Sequence, residues 1–165
     1  INASLQEIPS LIAALLKGKK HEWIAIAFEK DKNINYIWLN KGSNNSSVIS
    51  YLTMESMIGF ALKNNHTTIL ILHNHPNPDP INYNYTHPSQ TDINSAETLS
   101  PITNNSGINL LEFVCERGRA YIYHSSYADT FIPKTDIVNE INQINGRDKS
   151  DNYSLHKELR KLKNL

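Results

Sequence analysis

The chain has 165 residues, 39% of them hydrophobic, enough for one domain with a buried core. Sixteen Lys and Arg balance sixteen Asp and Glu, so net charge lends no support to binding along nucleic-acid phosphates. No apolar run reaches the roughly eighteen residues of a membrane span, no signal-peptide pattern opens the chain, and the one cysteine excludes an intramolecular disulfide.

Residues 4–16 carry Leu5, Ile8, Ile12, Leu15 and Leu16 near helical spacing, with Pro9 interrupting and Gly18 just past the end, and predict an N-terminal helix. Residues 23–28 and 34–39 read as strands, joined through the polar turn Lys30-Asp31-Lys32-Asn33 as an antiparallel hairpin. Residues 42–47 read as loop. Thr53 is placed to cap a helix over 54–63 whose Met54, Met57, Ile58, Ala61 and Leu62 share one core-facing side. Residues 67–72, a short run rich in Ile and Leu, read as a fully buried strand. Ser89 stands where a helix over 90–99 begins, with a break expected near Pro101 and a loop at 104–107. Strands at 110–115 and 119–123 flank the tight Arg117-Gly118 turn, and Cys115 packs there as a small hydrophobe. Residues 136–144 and 155–162 predict two further helices across a polar hinge at 146–152. The basic clusters at 17–20 and 157–163 read as solvated helix ends. The expected class is α/β, a mixed central β-sheet flanked by helices.

The chemistry concentrates after the strand at 67–72. Residues two apart on extended backbone point the same way, so His73 and His75 converge on one point while Asn74 faces the opposite side. Pro76 then stops the ladder. Asp92 falls on the first turn of the helix headed by Ser89, where the helix dipole supports a carboxylate that leans back over the histidines. Two imidazoles and one carboxylate form the ligand set of a catalytic zinc that keeps one position for water. A cytidine-deaminase pattern needs Pro-Cys-x-x-Cys, which one cysteine cannot supply. His73-Asn74-His75 likewise has the letters of an HNH nuclease without its hairpin-and-helix spread.

His-Asn-His-Pro at 73–76 and Pro-Ser-x-x-Asp at 88–92, with a Glu far upstream, resemble the JAMM motif of the JAB/MPN metalloprotease family. The likeness is strongest to its bacterial RadC-like branch and covers about residues 20–132. It implies a three-layer, cytidine-deaminase-like architecture; with the helical spacing at both ends, the expected organisation is an N-terminal helix (1–21), a catalytic domain (22–132) and a C-terminal helical extension (133–165). It also implies Zn2+ held by His73, His75 and Asp92. Glu22, at the mouth of the first long strand, takes the place of the family's upstream Glu as general base and then general acid. Glu29 sits at the far end of that strand and Glu55 heads a helix, so both fit less well. Ser89 would supply the oxyanion donor. The segment 77–88 is longer than the family's, and its prolines and tyrosines suggest a semi-rigid flap over the site.

The expectation is a zinc-dependent hydrolase of amide or isopeptide bonds in a protein or peptide substrate, intracellular and cytoplasmic, with no membrane attachment. Two alternatives stand beside it. One is a RadC-like protein tied to DNA repair, a label the branch carries by name. The other is a metal-free scaffold that binds protein partners, disfavoured because the full ligand set is present.

Overall fold

Alternation along the central strands decides the layering. In the computed structural model, which describes residues 3–5, 7–79 and 81–126, one sheet contains β1 (Ala3–Ser4), β2 (Trp23–Lys30), β3 (Asn33–Lys41), β4 (Thr68–Asn74), β5 (Asn109–Glu116) and β6 (Arg119–Ser125). The order is β1-β3-β2-β4-β5-β6, and every neighbouring pair is antiparallel except β4 with β5. Ala25, Ala27, Leu70, Leu72, Leu111 and Phe113 pack with Ile8, Ile12, Ala13 and Leu16 of helix α1 (Ile8–Leu16). Their sequence neighbours Ile26, Phe28, Ile69, Ile71 and Leu110 pack on the other side. There they meet Met57, Ile58 and Ala61 of α2 (Met54–Lys63) and Leu99 of α3 (Gln90–Asn105). The three expected layers are therefore α1, the mixed sheet, and α2 with α3.

β4 is buried at all seven positions, which explains its lack of polar alternation: both faces are covered and both edges are paired. Its parallel partner β5 requires a long crossover, and α3 provides it. The 3-10 turn at Tyr83–Thr86 lies inside the same connection. The β2–β3 hairpin turns through Asp31 and Lys32, both with positive φ (52° and 70°), the geometry that matches the twist of the flanking strands.

Two local expectations change. The N-terminal helix is shorter than residues 4–16, because Ala3–Ser4 pairs with β3 and Pro9 falls in the helix's first turn, where a missing N–H costs nothing. α3 does not break at Pro101 but runs on to Asn105. Pro101 is exposed, whereas Leu99, Ser100 and Thr103 are buried, so tertiary packing offsets the single helical hydrogen bond that proline removes.

Cys115 is buried among apolar neighbours, and that burial pushes its thiol up to about 12, so it packs rather than reacts. Among the described residues no helix is long and apolar enough to cross a membrane. The helices expected at 136–144 and 155–162, the extension at 133–165 and the second basic cluster lie outside the described residues.

Candidate metal centre

β4 extends two residues beyond the apolar run, so His73 is still in the ladder, opposite Ile24 of β2 and Val114 of β5. It follows Ile69 and Ile71 on the α3 side of the sheet. His75 lies just past the strand, where its backbone N–H continues the pattern by donating to the Cys115 carbonyl at 2.9 Å. Asp92 arrives from α3 through a capping box. The Ser89 hydroxyl oxygen accepts the Asp92 N–H at 3.1 Å, and the Ser89 N–H donates to Asp92 Oδ2 at 2.8 Å.

These elements bring three ligand atoms to one point. His73 Nε2 is 2.9 Å from His75 Nε2 and 3.0 Å from Asp92 Oδ2, and His75 Nε2 is 3.3 Å from the same oxygen. Tetrahedral ligands at zinc distances stand about 3.3 Å apart. His75 Nδ1 lies 2.9 Å from the Tyr85 carbonyl, which only accepts, so Nδ1 carries the proton and the neutral ring offers a lone pair at Nε2. Two ring nitrogens and a carboxylate oxygen facing one another at such distances form a donor set suited to a cation. Among the described residues this is the one group of three or more such side chains placed to hold a metal ion.

Burial opposes charge on Asp92, but the charge and hydrogen bond of His73 beside it, with the hydrogen bond from the Ser89 N–H, hold its carboxyl well below the usual range. Burial also opposes charge on His73, yet Asp92, Glu22 and Glu112 around it raise its pKa overall. The acid end of this pair is thus a firm anion, as a ligand must be.

Glu22 is 51 residues from His73 in sequence, but the β2–β4 pairing brings it to the same strand end. Its Oε1 lies 3.9 Å from His75 Nε2, and burial raises its pKa against the pull of His73 and His75. Its backbone is fixed on both sides: the Glu22 N–H donates to the Asn44 carbonyl and the Gly42 N–H donates to the Glu22 carbonyl. A Cβ on Gly42 would stand 2.6 Å from the Ser47 carbonyl oxygen and 2.9 Å from that of Glu22, so only glycine permits this approach. Glu22, His75, Tyr85, His87, Ser89 and Asp92, with the loop at 45–48, enclose a cleft of about 480 Å³. Ser89 uses its oxygen as the helix cap, which leaves the hydroxyl proton for a further acceptor. His87 lines the cleft but stands outside the converging trio.

Three contributors escaped the sequence reading. Asn74, between the histidines and pointing to the α1 face, accepts the Trp23 N–H at 2.6 Å and donates to the His21 carbonyl at 3.0 Å. It therefore clasps the backbone on either side of Glu22. Asn74→Ala is expected to cost about 1–3 kcal/mol by leaving both backbone groups unsatisfied, a loss read by urea denaturation; unchanged stability would show the clasp to be idle. Second, the Tyr85 carbonyl, within the segment expected to form a flap, orients the His75 ring.

The third is Glu112, an acid interrupting the apolar run of β5, which is the one sequence signal it gave. It is 4% exposed, accepts from the Tyr123 hydroxyl at Oε1 (3.0 Å), and its Oε2 has no partner among the described residues. Burial pushes it up to about 7 from the usual 4.5, although the Tyr123 hydrogen bond and His73 pull it down. The folded chain thus holds a proton that the unfolded chain releases near pH 4.5, so this stabilising term is full below pH 4.5 and lost as pH rises through 7. The metal-free protein should lose roughly 3 kcal/mol across that interval relative to its own Glu112→Gln variant. Urea denaturation at a series of pH values checks this, and parallel curves would contradict it.

A family model described as RadC-like JAB domain matches residues 3–128. No curated protein matches the chain.

Proposed function

Since the chain belongs to the RadC-like JAB domain family, we propose that it is a zinc-dependent hydrolase cutting amide or isopeptide bonds in a protein or peptide, a JAMM-type metallopeptidase. The observation that carries this reading is the convergence of His73, His75 and Asp92 beside a buried Glu22, with His75, Asp92 and Glu22 lining one cleft. A zinc ion held there supplies Lewis acidity and lowers the pKa of water toward neutrality.

Everything else falls to groups of this chain. Glu22 takes a proton from the attacking water and later delivers it to the leaving amine, a double task open to a buried carboxyl held at the strand end. The Ser89 hydroxyl donates to the oxyanion as the carbonyl becomes tetrahedral. Tyr85 keeps the His75 ring in one tautomer, and Asn74 keeps the Glu22 backbone at the strand end.

The test uses the zinc-loaded full chain, a mixed peptide library and a reporter joined through a Lys side-chain amide. New amino termini, read by mass spectrometry and abolished by a chelator, are the expected result. A chain that holds about one zinc yet cuts neither substrate would overturn the reading.

A further inference from the structure

The carboxyl ends of β4 and β5 border a second cavity, reaching the α1 face of the sheet, which the chemistry above leaves unused. Its volume is about 510 Å³, within the usual range for a binding pocket. Leu16, Pro76, Pro78 and Cys115 give it an apolar floor, while Lys17, Lys19, Lys20 and Arg117 stand in its wall. Among the described residues Glu116 is the one acid lining it, and that carboxylate is already engaged by Arg117 and Asn77. Among the described residues no carboxylate pairs with Lys17, Lys19 or Lys20. The wall is thus three positive charges in excess.

Two of these cations pack on neighbouring elements of the fold. The Lys17 side chain lies against the β5–β6 turn, 3.2 Å from where a Cβ on Gly118 would sit. The Lys19 ammonium stands 5.3 Å over the ring of Trp23, whose N–H is held by Asn74. Asn45, His75 and Pro76 line both this cavity and the cleft that contains Glu22 and Asp92. A polypeptide lying across the strand ends would enter both.

We propose that this second cavity is a subsite for an acidic segment of the substrate, adjacent to the bond that is cut. The inference rests on the amide-hydrolase reading and gives its substrate a chemical class. Carboxylates on short aliphatic stems match a lysine wall over an apolar floor. Among the described residues no Phe, Tyr or Trp lines the cavity to stack a base, and that disfavours a nucleic-acid strand as occupant.

Fluorescence anisotropy on the metal-free full chain tests binding without turnover, using two labelled octapeptides, one alternating Gly-Glu and the other Gly-Gln. The acidic peptide should bind at least about tenfold more tightly, and the Lys17→Glu/Lys20→Glu double variant should erase that preference. Equal binding of the two peptides, or a preference that survives in the double variant, overturns the proposal. So does an eight-nucleotide oligothymidylate that binds more tightly than the acidic peptide and is lost in the same variant. In the cleavage assay above, acidic residues should be enriched beside the cut bonds. Cleavage without that enrichment sinks the subsite alone, whereas the binding preference without any cleavage sinks the hydrolase reading alone.

Discussion

Replacing His75 by alanine is expected to empty the zinc site, weakening affinity by more than about 100-fold, since even loss of an outer partner of a ligand costs 10–100-fold. The reason lies in the small number of donors. His73, His75 and Asp92 each give one atom to a shared point, and removing His75 Nε2 leaves two, while also leaving the Tyr85 carbonyl without its donor. Asp92→Ala should do the same, but it also removes the half of the capping box that accepts the Ser89 N–H, at a cost of about 1 kcal/mol. Asp92→Asn separates the two effects, because an amide oxygen can still accept the Ser89 N–H but no longer brings a charge. Elemental analysis after dialysis against a weak chelator is the measurement, with circular dichroism to show that each variant is folded. Zinc content equal to that of the parent protein in all three variants would refute the ligand assignment.

The second large effect concerns turnover with the metal retained. Glu22→Gln keeps the shape of the side chain and its place at the strand end, and lacks only the capacity to accept a proton. Zinc binding is expected to persist, since Glu22 Oε1 stands 3.9 Å from His75 Nε2 and is not one of the converging atoms. Hydrolysis should fall by about 10²–10⁴-fold, the range general acid–base catalysis supplies. A variant that retains both its zinc and its rate would assign the base to another group.

How much of this was readable from the amino acids alone follows from the distance over which each feature is encoded. The α2 helix, with its Thr53 cap and one apolar side, is local, and its limits agree with the expectation at both ends. The convergence of His73 with His75 follows from strand periodicity within three residues. Asp92 required only that the helix headed by Ser89 lean back toward β4. The Glu22 assignment needed the pairing of β2 with β4, which sequence suggests only through the order of strands. The Asn74 clasp depends on the same pairing in its specific register, Ile24 against His73, and no propensity encodes a register across some fifty residues. The Tyr85 contact requires the long segment to fold back on His75, and it is made by a carbonyl that every residue possesses. At Pro101 the local rule was correct as chemistry and outweighed by packing, since the buried side of α3 continues past it to Thr103.

Asp92 Oδ2 serves two masters, the amide that begins α3 and the histidines across the cleft. Helix termini are the first parts of a helix to fray, so the ion's grip and the integrity of that terminus rise and fall together. Occupancy should therefore brace the first turn against opening, and warming should release the cation ahead of the sheet's collapse, making metal loss the earliest sign that the molecule has begun to come apart.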